Sequence, residues 1–432
     1  MADISRDALE RWFCNPRCSG WSGEERVGAE FEVLVVDRRT RKEAPFDGPR
    51  GVEAVLESLS RNGWATAREN GRLIALERAG ATVTLEPGSQ LELSTSPRRT
   101  VVEIEADLRS FLAELGPVLE KMDLVALATG LNPFSTALEV PLGPKKRYAI
   151  MTEYLSRKGD LAIDMMRRTL SVHCSFDYRD EADAIEKARV AFAAAPVVTA
   201  MFAHSGVDRV APNGYQTFRA EIWRRTDPDR CGQLPEVYEE GWGFARYLER
   251  ILGLPLIFTY RDGEYRPANG RRAREWFAGG WDGLTPAVDD LEWVINQSFR
   301  DARLRRYLEC RAADFPSPHM ATAPVALWTG LLYDADARRE AWTRLAALGA
   351  ERREAMIAAV PRDGLRAAGV LALARELAAL ARRTLVARGH GEERLLDPLD
   401  ALLADGRSPT DALLDGWTAG DADALIERLR IA

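Results

Sequence analysis

Cysteine is scarce in this chain: there are five in 432 residues, and only Cys14 and Cys18 lie close together, with Cys174, Cys231 and Cys310 scattered beyond them. An odd, dispersed set does not make a disulfide framework and fits a reducing compartment. Cys14 and Cys18 have no nearby Cys or His to complete a tetrahedral zinc shell, so two free thiols are expected. Long apolar runs are also missing. The most hydrophobic stretch, Ala188 to Ala203, is too short to span a bilayer and is interrupted by Pro196, so it reads as a buried helix and no membrane partner is expected. The N-terminus, MADISRDALERWF, lacks a basic region followed by an apolar one, which argues against a secretory signal and for a cytoplasmic location. Basic residues form no block: 59 Lys and Arg are spread among 66 Asp and Glu, for a net charge of −7, which excludes a nucleic-acid footprint. There is no fixed-period repeat, low-complexity tract or long Gly/Ser or Pro-rich linker. A single catalytic domain over 1–432 is therefore expected.

What is present is a globular composition, 46% hydrophobic and 29% charged, with enough apolar side chain for a sizeable core. The first three-quarters mixes strand-like and helix-like segments. From about Pro324 onward the chain is rich in Ala, Leu and Arg at helical spacing, so 324–432 is expected to be a mainly helical part packed on the rest. Within it, Ser408-Pro409 marks a helix start, with Ser as the N-cap and Pro at the first helical position.

Four strand-like segments alternate apolar residues with polar ones capable of chemistry. Val27, Ala29, Phe31, Val33 and Val35 point one way, and Gly28, Glu30 and Glu32 begin the other face. Val83 and Leu85 alternate with Thr84 and Glu86; Pro87-Gly88 turns the chain, and Leu91 and Leu93 alternate with Gln90, Glu92 and Ser94. Leu170, Val172, Cys174 and Phe176 leave Thr169, Ser171, His173, Ser175 and Asp177 opposite. Leu308, Cys310 and Ala312 alternate with Arg305, Tyr307, Glu309 and Arg311. A solvated sheet face would explain such alternation by itself. Clustered Glu on strands, however, is disfavoured by propensity and by like-charge repulsion unless cations neutralise it.

Carboxylates with one imidazole suit a hard divalent ion such as magnesium or manganese, which typically bridges protein carboxylates to substrate phosphates. The implied substrate is a nucleotide. No GxxxxGK[ST] loop and no GxGxxG between a strand and a helix is present, so metals and side chains must hold the phosphates. Arg147, Arg168, Arg219, Arg230 and Arg311 are candidates, because a guanidinium binds carboxylate or phosphate through two parallel hydrogen bonds.

The segments GAEFE (28–32), LEPGSQLELS (85–94), PKKRY (144–148), GDLAIDMMRRT (159–169), NGYQTFRAEIW (213–223), TDPDRCG (226–232), RLRRYLECRAAD (303–314) and WTGLLYD (328–334) resemble those of plant-type glutamate-cysteine ligases, in the same order and at similar intervals. The resemblance runs from about Arg26 to about Leu414. It implies an α+β fold in which a curved antiparallel sheet forms a glutamine-synthetase-like catalytic funnel with helices packed outside. It also implies a reaction: ATP phosphorylates the γ-carboxylate of glutamate, and the amine of cysteine displaces the phosphate to give γ-glutamylcysteine, the first step of glutathione synthesis. Glu30, Glu32, Glu86, Glu92 and Glu309 are then the expected ligands of about two or three magnesium ions. His173 joins them, at a place where plant relatives have Gln and more distant bacterial ligases of the superfamily have His. Arg147, Arg219 and Arg311 match arginines assigned to the substrate carboxylate or the transferring phosphoryl group. Arg168 and Arg230 match as substrate-binding residues, and Trp223 as a wall of the pocket. The expected partners are small molecules only, glutamate, cysteine and ATP, handled by a monomer or homodimer.

Two departures bear on the acceptor. SVHCSFD (171–177) stands where the relatives read like TVQVNLD, and VINQSF (294–299) stands where they carry an HLTT-like run before FP. These leave open a γ-glutamyl ligase acting on another amine. A catalytically silent relative that binds nucleotide or amino acid is a separate alternative; it would need loss of metal ligands, and all five candidate glutamates are present.

Overall fold

The computed structural model describes residues 4–14 and 23–432. Its main element is a ten-stranded antiparallel sheet built from β1 (Val27–Asp37), β2 (Lys42–Glu43), β3 (Ala65–Glu69), β4 (Arg72–Arg78), β5 (Ala81–Leu85), β6 (Leu91–Ser94), β7 (Leu124–Leu127), β8 (Ser171–Phe176), β15 (Ala302–Leu304) and β16 (Leu308–Asp314). Six short strands form separate pairs: β9 (Val207–Asp208) with β10 (Ala211–Pro212), β11 (Cys231–Gly232) with β14 (Phe299–Arg300), and β12 (Phe258–Arg261) with β13 (Glu264–Pro267). The order across the main sheet is β15-β16-β8-β1-β6-β5-β4-β3, and β2 and β7 pair with the C-terminal half of β1.

The position of β1 follows from its sequence. Through Glu32 it alternates, and beyond that residue it is apolar on both faces. Val27, Ala29, Phe31, Val33 and Val35 enter the main core, and Leu34 and Val36 enter a second cluster with Val125, Leu127 and Leu429. A strand buried on both sides needs partners along its whole length. It has them: β6 and β8 flank the first half, and β7 pairs with the second.

The apolar face of the sheet is covered by helices Val101–Lys121, Glu181–Met201, Ala323–Leu332 and Val370–Arg388, whose side chains share one core with Phe31, Val172, Phe176 and Leu308. The stretch 188–203 is the buried part of helix Glu181–Met201 and its end, as its composition indicates, with Pro196 inside the helix. No helix among the described residues is long and apolar enough to cross a membrane. Beyond Asp314 the described elements are helices and turns, apart from a bridge between Leu127 and Arg430. There Ile431 N–H donates to the Ala126 carbonyl and Ala126 N–H to that of Ala432, so the chain's end is tied back to β7. Ser408 caps helix Pro409–Leu414, its hydroxyl accepting from Asp411 N–H while the Asp411 carboxylate reaches back to the cap. Cys174, Cys231 and Cys310 are buried free thiols and Cys14 is exposed; Cys18 lies outside the described residues.

Phe31 is fully buried between the carboxylates Glu30 and Glu32 and packs against Phe315 at 6.1 Å between ring centroids. Phe31→Ala is expected to cost about 3–5 kcal/mol of stability through lost burial and a residual cavity. Denaturant unfolding followed by far-UV circular dichroism checks this, and an unchanged midpoint contradicts it.

Candidate functional site

The polar face of the sheet is not a solvated surface. Glu32, His173 and Glu309 are 7%, 4% and 0% exposed. Glu32 and His173 belong to a cleft of about 300 Å³ lined also by Glu30, Glu86, Glu92, Arg147, Trp223, Arg303, Arg305 and Arg311, with Glu309 held by the last three.

Strand register brings the carboxylates together. Glu30 lies directly opposite His173 of β8 and Ser94 of β6, and Glu32 opposite Glu92. The turn after β5 holds Glu86. Gly88 packs so closely on the Arg167 carbonyl that a Cβ would sit 2.2 Å from it. Gln90 fastens the turn, its Oε1 accepting from Gly88 N–H and its Nε2 donating to the carbonyls of Arg167 and Thr169. Lys145 Nζ and Tyr148 Oη both donate to the Leu85 carbonyl, bringing the start of helix Lys146–Leu155, with Arg147, beside Glu86.

His173 is the hinge of the cluster. Its Nδ1 is 2.9 Å from Glu30 Oε2, and its Nε2 is 2.8 Å from Ser171 Oγ. Burial, reinforced by Arg311, lowers its pKa to about 4, so the imidazole is neutral at physiological pH. Burial opposes the charge on Glu30, but the His173 contact overcomes it and holds Glu30 below the usual carboxylate range. Burial and the neighbouring Glu86 push Glu32 up to about 8, and burial with Glu30, Glu86 and Glu32 pushes Glu92 well up. Ligand atoms of Glu30, Glu92 and His173 lie within 4.8 Å of one another, so a neutral imidazole and two carboxylates converge as a hard divalent ion requires.

Glu309 differs from the other glutamates. Arg303 grips it with two bonds of 2.8 and 2.9 Å, and Arg311 Nη1 donates to Oε1 at 2.5 Å. Although burial opposes ionisation, Arg303, Arg311 and Arg305 hold its pKa far below the usual value. Expected among the metal ligands, Glu309 is held in this structure by guanidinium groups on both oxygens, and it orients Arg311.

The expected arginines separate into three groups. Arg147 and Arg311 line the cleft. Arg219 lies behind it, donating to the Arg311 carbonyl at 3.1 Å, 3.7 Å from Asp314 and 5.9 Å from the Trp223 ring centroid. Arg168 and Arg230 do not reach the cleft. Arg168 is held by Asp164 at 2.7 Å, by Asp208 and by the Asn132 carbonyl. Arg230 is fully buried against Asp227 at 2.7 Å and the carbonyls of Gln297 and Pro255. Both guanidiniums, expected to bind substrate, are held in ion pairs away from the cleft lining in this structure. Trp223 does wall the cleft, edge-on to Phe299 at 5.9 Å. Sequence reasoning missed Lys145, Arg303 and Asn296. The first two lie in the quoted segments PKKRY and RLRRYLECRAAD, and the third in VINQSF.

The proton balance of this wall is testable without any ligand. A carboxyl whose folded pKa exceeds its unfolded value binds an extra proton in the native state, so its contribution is complete below about 4.5 and is lost as pH rises toward 8. Native His173, held near 4 against 6.5 unfolded, favours stability above 6.5 and loses that contribution as pH falls toward 4. Between 6.5 and 8 the carboxyls dominate, because Lys145, lowered to about 8 by burial and Arg147, gains its opposing contribution mainly above that range. With chelator present, the melting temperature is expected to fall across that window, and to fall less in Glu92→Gln. A flat or rising profile contradicts the assignment.

Known proteins give this cleft its context. The structure of a glutamate-cysteine ligase from Francisella tularensis, solved in complex with AMP, superimposes with a TM-score of 0.53 at 13% identity, covering 94% of this chain and 87% of that one, and so shares its fold. The chain is 34% identical over 410 residues to the chloroplastic glutamate-cysteine ligase B of Oryza sativa subsp. japonica, covering 93% of this chain and 81% of the relative. It is 33% identical over 415 residues to the chloroplastic enzyme of Arabidopsis thaliana, covering 94% and 79%. These relatives overturn the cytoplasmic location expected from the N-terminus, because they are plastid proteins. Residues 26–428 match glutamate-cysteine ligase family 2, and with that span and these identities the chain belongs to this family.

Proposed function

We propose that the chain joins the γ-carboxylate of glutamate to the amine of cysteine through a γ-glutamyl phosphate, using ATP and magnesium. The observation that carries this reading is the opposition, within one cleft, of Glu30, Glu32, Glu86, Glu92 and His173 to the cationic side chains of Arg147 and Arg311. Such a cleft suits phosphoryl transfer, where the protein's task is to position reactants and stabilise moving negative charge.

Glu30, Glu92 and His173 would hold magnesium, with Glu32 and Glu86 beside them; when bound, the ion supplies charge neutralisation for the nucleotide phosphates. Arg311, fixed by Glu309, presents its remaining donors to an anionic oxygen. Arg147 does the same beside Glu86; burial opposes its charge, but its neighbours Tyr148 and Glu86 outweigh that and keep its pKa raised, so it stays charged. In the first step the glutamate γ-oxygen bonds to the terminal phosphorus as ADP leaves. In the second, the amine bonds to the γ-carbon as inorganic phosphate leaves. The whole chain acts as one catalytic unit in this reading, with helical residues 324–432 as part of it, on small molecules alone.

A second reading keeps the acyl phosphate and changes the amine. It is favoured by His173 and Ser175, which replace two amides of the related plant motif, and by Asn296 and Gln297 near the cleft.

Phosphate release with ATP, magnesium, glutamate and cysteine tests the first reading. Turnover is expected to depend on all four, and Glu92→Gln is expected to lower kcat/KM on the order of 10²-fold or more. No turnover with cysteine but turnover with a non-thiol amine selects the second reading; undiminished turnover in Glu92→Gln contradicts the metal assignment.

A further inference from the structure

Two adjacent amides at the end of helix Asp290–Ile295 have opposite fates. Gln297 is fully used. Its Oε1 accepts from the N–H groups of Ile257 and Phe258 at 2.7 and 3.2 Å, and its Nε2 donates to the carbonyls of Phe258 and Trp293 at 3.0 and 3.1 Å. It pins the segment before β12 to the helix. Asn296 lines the cleft, and its Oδ1 is buried without any hydrogen-bond partner. A buried amide oxygen left unpaired is costly, and a protein retains one where a ligand completes it.

The surroundings of Asn296 restrict that ligand. Arg303 is next to it but is spent: it donates to the Asn296 and Ser298 carbonyls at 3.1 Å each and grips Glu309 with its other nitrogens. Trp293, one turn earlier and on the same side of the helix, also lines the cleft. It packs on Tyr260 at 4.5 Å between ring centroids and belongs to the apolar cluster of Met165, Met166 and Phe258. A neutral hydrogen-bond acceptor therefore sits beside an apolar, sulfur-bearing and aromatic lining, whereas Glu30, Glu92, His173 and Arg311 lie on the sheet.

We propose that Asn296 docks the amino group of the acceptor amino acid, Oδ1 accepting one N–H of the attacking nitrogen while the acceptor's small apolar or thiol side chain lies against Trp293 and Phe258. The inference rests on the γ-glutamyl ligase reading. A neutral oxygen suits this task better than another carboxylate, because it binds an amine without favouring the ammonium form, whose nitrogen has no lone pair to attack with. In the step it serves, the nitrogen–carbon bond forms and the carbon–oxygen bond to phosphate breaks. The departing phosphate takes that electron pair and the proton released by the nitrogen.

Steady-state kinetics of the full chain with cysteine as the amine, at saturating ATP, glutamate and magnesium, test this directly. Asn296→Ala is expected to raise KM for cysteine about tenfold, the value of one neutral hydrogen bond, with KM for ATP and glutamate within about twofold of wild type. Asn296→Asp keeps an acceptor, so KM for cysteine is expected to stay within about twofold while kcat falls, because the carboxylate retains the ammonium form. Gln297→Ala is the structural control: it is expected to lower the melting temperature. An unchanged KM for cysteine in Asn296→Ala, or an equal rise in all three KM values, overturns the inference and leaves the ligase reading standing. A wild-type chain that turns over with no amine overturns both.

Discussion

Four glutamates crowd one wall of a cleft, and the cations beside them, Lys145, Arg147 and Arg311, offset their mutual repulsion only in part. Burial alone makes each ionised carboxylate costly, and each neighbour adds repulsion. The neutral His173 supplies one hydrogen bond to Glu30 and no positive charge. Arg303 is committed to Glu309 and to backbone carbonyls. The wall is therefore incomplete as a set of charges, and it holds protons on Glu32 and Glu92 well above their normal range. Cations brought from outside resolve this, and a nucleotide's phosphates are the natural companion of those cations.

The fold makes such a wall affordable by strict separation of faces. Each strand that carries Glu30, Glu32, Glu92 or His173 toward the cleft carries Phe31, Leu91, Leu93, Val172 or Cys174 outward into a core closed by four helices. Hydrophobic burial on one side thus stabilises strands whose other side is electrostatically unfavourable. The turn from Glu86 to Gln90 shows the same principle at small scale, since a network of backbone and amide hydrogen bonds holds Glu86 where its own charge would not place it.

The alternation that exposes Glu30, Glu32, Glu92 and His173 to a common face was readable from sequence, because a strand's period of two leaves no other arrangement once one face is apolar. The register was not. Nothing in the local pattern says that Glu30 faces His173 or that Glu32 faces Glu92, since pairing is decided by which strands become neighbours. Arg168 and Arg230 are held away from the cleft for a local reason: Asp164 lies four residues before the first and Asp227 three before the second, and both spacings place a carboxylate within reach of the guanidinium. The arginine grip on Glu309 has a non-local origin, because it depends on Arg303 and Glu309 lying opposite each other in the β15–β16 hairpin. Asn296 could be singled out only as a departure from a related motif, and the structure distinguishes it from Gln297 by what each amide touches.

The central claim is that the wall is completed by divalent cations at Glu30, Glu92 and His173. Anomalous diffraction at the manganese edge, from crystals grown with manganese and a non-hydrolysable ATP analogue, tests it most directly. The account predicts a peak about 2.0–2.3 Å from an oxygen of Glu30, an oxygen of Glu92 and a nitrogen of His173. Density for the analogue's phosphates in the cleft with no anomalous peak at these three residues would contradict it.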